Sequence, residues 1–339
     1  MNRKILALIA VILIVVIIGG YYIYRATHRE YIVIFCAGSL KIPLERLAKI
    51  YTDRYGIEVR IEASGSVRAI RKVIDVGSVC DVLAVADCRL LKTYMYPNYA
   101  SWYAAFATNK LVLAYTSKSK YSDILDKHPD RWIDILLKND VRYGFSNPNE
   151  DPCGYRAVGV LALASIYYHD TTIFERLVVS KTNITYKYGN DSIEVYIPAD
   201  LEVSEGSNLI VRSKSVDLIS LLEAGSLDYA FEYKSVAIQH GLKYVELPPE
   251  INLGLKEYDD FYSKVVVKIL VGSKRMRSII MKSIIYGVTI PKCARNYSGA
   301  IKFIKLLLSE VGRKIFKECG QDFLNKVIYY GSIPNELRI

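Results

Sequence analysis

The chain begins with an uninterrupted apolar run, Ile5 to Ile23, preceded by Arg3 and Lys4 and followed by Arg25 and Arg29. At about 1.5 Å per helical residue, a run of roughly 19 residues reaches about 28 Å, close to the hydrocarbon thickness of a bilayer. It is longer than the usual core of a signal peptide, and no A-x-A cleavage site or lipobox cysteine follows it. The pattern predicts an uncleaved signal anchor over residues 1–30, a single membrane pass with the body outside the cell. A cleaved signal and a secreted body are the alternative.

From Tyr31 the pattern changes to short strand-like runs alternating with segments of helical period. YIVIFC (31–36) ends in Ala37-Gly38-Ser39, and Leu44, Leu47, Ala48 and Tyr51 then recur at helical spacing up to Gly56. IEVRIEA (57–63) alternates as a strand, after which Ser64-Gly65-Ser66 opens a second helix. CDVLAVAD (80–87) and LVLAYT (111–116) read as further strands, an order that predicts parallel strands joined by crossover helices. In the second half VRYGFS (141–146), DYAFEY (228–233), KVVVKIL (264–270) and SIIYGVTIP (283–291) read as strands. Helices are predicted over 154–168, 216–225, 297–309 and 311–318. The whole is an α/β chain of two lobes: 31–113 with 286–339 as lobe I, and 114–285 as lobe II. LVLAYT and IIYGVTIP are the strands expected to cross between them.

Composition narrows the function. A chain of 339 residues with 51% hydrophobic and 24% charged residues is neither disordered nor collagen-like. The net charge of +10 is spread among acids, without a basic arm, so nucleic acid is not an expected partner. A diffuse positive field suits an anionic ligand or an anionic membrane surface. The six cysteines form no C-x-x-C pair, and the four histidines (28, 128, 169 and 240) are scattered. A Cys/His zinc site and a thiol enzyme built on Cys36 are therefore not expected, nor is any cofactor. Cys293 and Cys319 flank the last two predicted helices, and antiparallel packing of that pair predicts a disulfide between them.

Three loops carry the candidate chemistry: Ala37-Gly38-Ser39, Ser64-Gly65-Ser66 and Asp151-Pro152-Cys153-Gly154. Each follows a strand and runs into a helix, where free N–H groups and the positive end of the helix dipole favour an anion. Ordinary capping by Ser39, Ser66 and Asp151 is the plainer account of any one loop. Three such loops in one exported α/β chain predict an oxyanion cradle.

Together with CDVLAVAD, NYASWYAAFATNKLVLAYT, RYGFSNPNEDPCGYRA, DYAFEYKSVAIQHGL and YGVTIPK, these loops make residues 31–335 resemble the archaeal tungstate/molybdate-binding proteins of ABC transporters. Those are extracellular solute-binding proteins of the WtpA/ModA type. The resemblance implies a type II periplasmic-binding-protein fold, two lobes closing on an oxyanion, no catalysis, and delivery to a membrane permease. A monomer is expected. Receptors for sulfate or phosphate, or an enzyme on the same two-lobed fold, are the alternatives.

Carried over position by position, the resemblance places Gly38 and Ser39 in the first oxyanion loop and Ser66 in the second. Asp151, Pro152 and Cys153 fall in the third, with Cys153 where the family usually has alanine. Cys36 stands where histidine is common, and Tyr233 matches a ligand-binding tyrosine. The family's second carboxylate, a glutamate, aligns with Ser215, so Asp217 and Glu232 are the candidates to replace it. A carboxylate facing a dianion is repulsive, which makes sense if it bonds the metal itself. Tungsten(VI) and molybdenum(VI) can accept further oxygen ligands and sulfur in sulfate cannot. Asp151 is the expected metal-directed carboxylate.

Overall fold

Strands β1 (Tyr31–Ala37), β2 (Glu58–Ser64) and β3 (Val82–Val85) run parallel, with β1 between the other two. The computed structural model describes residues 30–338 and, ahead of them, Val16 alone, so the predicted anchor otherwise lies outside the described residues. Among the described residues no helix is long and apolar enough to cross a membrane. Ile32, Ile34 and Cys36 of β1 enter the main core, while Phe35 meets Ala69, Ile70 and Val73 of the helix Ser66–Ile74 on the opposite face. Burial on both faces is why YIVIFC is continuously apolar.

Three antiparallel additions complete this sheet: β4 (Trp102–Asn109), β14 (Ile284–Thr289) and β15 (Asp322–Gly331), giving the order β15-β4-β14-β3-β1-β2. A second sheet has the order β11 (Lys243–Glu246), β5 (Leu111–Tyr115), β10 (Tyr229–Tyr233), β6 (Tyr143–Ser146), β9 (Leu209–Arg212). A third joins β13 (Arg277–Ile280), β12 (Val265–Val271), β8 (Ile193–Pro198) and β7 (Thr185–Tyr188).

LVLAYT is thus not a fourth parallel strand. It forms β5 of the second sheet, antiparallel to β10 and β11. Only Lys110 separates β4 from β5, too short a link for the crossover that a parallel neighbour needs. The chain changes sheets at Lys110 and again across 281–283, so the boundaries expected at 113/114 and 285/286 fall inside β5 and β14.

The helix Pro152–Tyr167 is apolar around most of its circumference because it is packed against β6 and β10 on one side and β8 and β12 on the other. A Cβ on Gly154 would stand 2.0 Å from the Ser146 carbonyl oxygen, so only glycine lets its first turn lie against the end of β6. The helices Tyr297–Leu308 and Glu310–Glu318 pack beside the helix Lys41–Tyr55 on the first sheet.

The expected Cys293–Cys319 bridge is absent, and both thiols are free. Asp81 accepts hydrogen bonds of 2.8 Å from the Arg295 and Asn296 amides, drawing that loop to the start of β3. Cys293 Sγ accordingly rests 3.6 Å from the Ser78 carbonyl oxygen, whereas Cys319 Sγ accepts a 3.4 Å hydrogen bond from Arg46.

Candidate oxyanion site

The C-terminal ends of β1, β2 and β3 face those of β6 and β10, the usual place for a ligand in an open α/β sheet. A nearly closed cavity lies between them, with room for little more than one water-sized sphere, about 10 Å³. Gly38, Ser39, Gly65 and Ala86 line it from the first sheet; Asp151, Ser215 and Tyr233 line it from the second. A Cβ at Gly65 would sit 2.7 Å from the Glu150 carbonyl oxygen, so glycine here lets the two walls meet. The structure therefore brings together Gly38, Ser39, Asp151, Ser215 and Tyr233. Pro152 and Cys153 are buried beneath the lining, with Cys153 Sγ 3.7 Å from the Phe231 carbonyl oxygen.

Capping explains only one of the three loops. Gly65 is the residue at the N-cap of Ser66–Ile74, and Ala37 at that of the short turn Gly38–Leu40; neither makes a side-chain cap bond. Asp151 does cap its helix, Oδ1 accepting from the Cys153 amide at 3.2 Å, while Oδ2 accepts from the Ser215 amide at 2.9 Å.

The serine and tyrosine hydroxyls share one feature: each oxygen already accepts a hydrogen bond from the protein. Ser39 Oγ accepts from the Tyr286 hydroxyl at 3.1 Å, and that hydroxyl in turn accepts from Asn109 Nδ2 at 2.7 Å. Ser66 Oγ accepts from the Ala86 amide at 3.0 Å, and Tyr233 Oη from Arg156 Nη1 at 2.7 Å. A hydroxyl whose oxygen is engaged in this way keeps its own proton to donate. Ser39 and Tyr233 line the cavity; Ser66 is fully buried, between Gly65 of the lining and its donor Ala86. Such a lining suits an anion that offers only acceptors.

The three carboxyls stand in different places. Asp151 is in the wall, and burial raises its pKa against the opposing pull of the Ser215 and Cys153 amides. Asp217 is half-exposed and turned away, accepting from the Lys214 amide at 3.2 Å. Glu232 is fully buried outside the cavity lining; its Oε2 accepts from the Tyr233 amide at 2.9 Å, and its Oε1 has no partner. Burial pushes its pKa up to about 8, Asp151 adding to the rise and the Ser215 hydroxyl and Tyr233 amide opposing it. Cys36 is equally enclosed, its thiol pushed up to about 12 by burial, which leaves no nucleophile there. Among the described residues no cluster of three or more His, Cys, Asp or Glu side chains is arranged to hold a metal ion.

Arg156 was not visible as a site residue from motif reading, although one signal was there: it is the only charge in PCGYRAVGVLALASIY. It is buried, donating from Nη1 to Tyr233 and, at 2.9 Å, to the Ala86 carbonyl oxygen. Asp87 Oδ2 lies 3.2 Å from Nη2. Burial raises the pKa of Asp87, but Arg89 and Arg156 outweigh it and hold the carboxyl below the usual carboxylate range.

Mixed sheets flanked by helices, in two lobes with a small polar cavity between strand ends, make the α/β fold of periplasmic binding proteins. The periplasmic molybdate-binding protein of Azotobacter vinelandii superposes with a TM-score of 0.55 at 16% identity, covering 87% of this chain and 99% of its own. The chain belongs to the family described as bacterial extracellular solute-binding proteins, whose model matches residues 32–321, a family of transport proteins and not of enzymes. An uncharacterized solute-binding protein of Staphylothermus marinus is 57% identical over 97% of this chain and 94% of its own. The molybdate/tungstate-binding protein WtpA of Pyrococcus abyssi is 46% identical over 100% of this chain and 97% of its own.

Proposed function

We propose that the chain is an extracellular receptor that captures tungstate or molybdate between two lobes and delivers it to the permease of an ABC transporter. The Pyrococcus abyssi relative carries that ligand in its name over the full chain length. The observation that carries the reading is Asp151 in the wall beside hydroxyls that keep their protons, with each carboxylate oxygen accepting just one backbone N–H. Ser39, Ser66 and Tyr233, with the amides of Gly38 and of the helix start at Gly65, donate to the oxyanion. Asp151 supplies an oxygen to the metal, following the preference of hard centres for oxygen ligands. Ser215, where the resemblance places a glutamate, keeps its amide on Asp151 and its hydroxyl on Glu232, and Glu232 keeps its proton outside the lining. The site so read holds one metal-directed carboxylate and five oxygens around tungsten or molybdenum.

The first sheet with its helices forms one lobe, and the second and third sheets form the other, hinged where the chain passes at Lys110 and at 281–283. The lobes part to admit the anion and close upon it. Residues 5–23 tether a monomeric body to the outer face of the cell membrane. Titration calorimetry with tungstate, molybdate and sulfate at equal ionic strength tests the reading. The two metal oxyanions are expected to bind far more tightly than sulfate; equal affinity for sulfate would make this a general oxyanion receptor.

A further inference from the structure

We infer that Arg156 is a positioning residue that aims the Tyr233 hydroxyl at the anion only when the cleft is closed, with Asp87 as its counter-charge on the opposite wall. This rests on the anion-binding reading above. A buried guanidinium is costly unless its N–H groups are paired. A helix otherwise apolar would pack as well with an apolar residue at this position, since replacing a buried ion pair by hydrophobic residues is often neutral or stabilising. What Arg156 adds is direction: by donating to Tyr233 Oη at 2.7 Å it occupies the acceptor side of that hydroxyl and leaves the proton to the cavity.

Its partners lie on both walls. Tyr233 ends β10 of the second sheet, whereas Ala86 and Asp87 follow β3 of the first. Arg156 is at once 2.9 Å from the Ala86 carbonyl oxygen and 3.2 Å from Asp87 Oδ2. The preceding residue adds to the clasp, the Tyr155 hydroxyl donating to Asp87 Oδ2 at 2.9 Å. Asp87 also holds Arg89, two residues along its own wall, through hydrogen bonds of 2.9 and 2.7 Å. Parting of the walls therefore leaves Asp87 compensated but strips Arg156 of its carboxylate. Closure returns the Asp87 carboxylate and the Ala86 carbonyl oxygen to the arginine, whose Nε and Nη2 make no hydrogen bond among the described residues, and so fixes it behind Tyr233. Of the residues in the cavity lining Arg156 hydrogen-bonds Tyr233 and Ala86, and its charge also acts on Asp151, an effect that lysine at this position keeps.

The test is a double-mutant cycle on the full-length chain with sodium tungstate as probe, measuring affinity, dissociation rate and the anion-free thermal midpoint. Arg156→Lys is expected to weaken binding at least tenfold in the wild-type background and less than threefold in a Tyr233→Phe background, where no hydroxyl remains to be aimed. Tyr155→Phe, which leaves Arg156 and Tyr233 in place, is expected to speed tungstate release severalfold with little change in the association rate. Equal losses from Arg156→Lys in both backgrounds would overturn the inference. If Arg156→Lys proves too unstable to assay, Tyr155→Phe decides, and an unchanged release rate overturns it. A wild-type chain that binds no tungstate would instead remove the anion reading, and this inference with it.

Discussion

Asp151 and Glu232 share a headgroup chemistry and differ in surroundings. Asp151 stands in the cavity wall with two backbone N–H groups upon it, whereas Glu232 is walled in with one oxygen unpartnered. Asp151→Ala is expected to lower tungstate affinity sharply while changing sulfate affinity little, which calorimetry with both anions reads; equal losses would reduce Asp151 to a helix cap. Glu232 is expected to show itself in stability. Its pKa of about 8 in the folded chain, against an ordinary 4.5, means that the folded state holds a proton that the unfolded state has lost between those values. The unfolded state binds fewer protons there, so anion-free stability falls as pH rises from about 4.5 to about 8 and this contribution then levels off. Denaturant titrations of Glu232→Gln across that window should show a shallower decline. The part that remains belongs to Asp151, which burial shifts in the same direction. An unchanged slope would mean that Glu232 is ionised in the fold.

At the scale of elements, the strand–loop–helix units were legible because each has a local signature. YIVIFC followed by AGS, IEVRIEA followed by SGS, and the helix after DPCG all appear where periodicity and turn residues put them. The segment WYAAFATN was not read as a strand, and its burial among other strands in β4 is what sends LVLAYT into the second sheet. Its alanines carry little period-2 signal, since both faces are covered. The loop before the helix Ser66–Ile74 gives a prediction at this scale. Gly65→Ala would place a methyl 2.7 Å from the Glu150 carbonyl oxygen of the facing wall. An overpacked contact of this kind costs about 1–3 kcal/mol, equivalent to a roughly five- to 150-fold loss of tungstate affinity. The anion-free thermal midpoint should move little, because the contact exists only between closed walls. A midpoint that falls in step with affinity would show instead that the loop is needed to fold the first lobe.

For the whole molecule, every residue placed at the cradle lies between Gly38 and Tyr233, and the sheets that hold it begin at Tyr31. A chain starting near Tyr31 is expected to remain in solution and bind tungstate as the full-length chain does, while the full-length chain partitions with membranes and resists carbonate extraction. Loss of binding on removal of the first 30 residues would bring that segment into the working of the receptor. The sequence by itself determined the α/β class and the three strand–loop–helix units, because these depend on short-range periodicity and turn residues, and the family resemblance made Asp151 and Tyr233 candidates for the site. Tertiary structure alone decided which sheet β5 joins, that Cys293 and Cys319 lie apart, that Asp217 turns to solvent while Glu232 is sealed in, and that Arg156 reaches across to Asp87. Each of these outcomes depends on what lies opposite a side chain across the core or the cleft, from segments tens of residues away, and no local pattern carries that information.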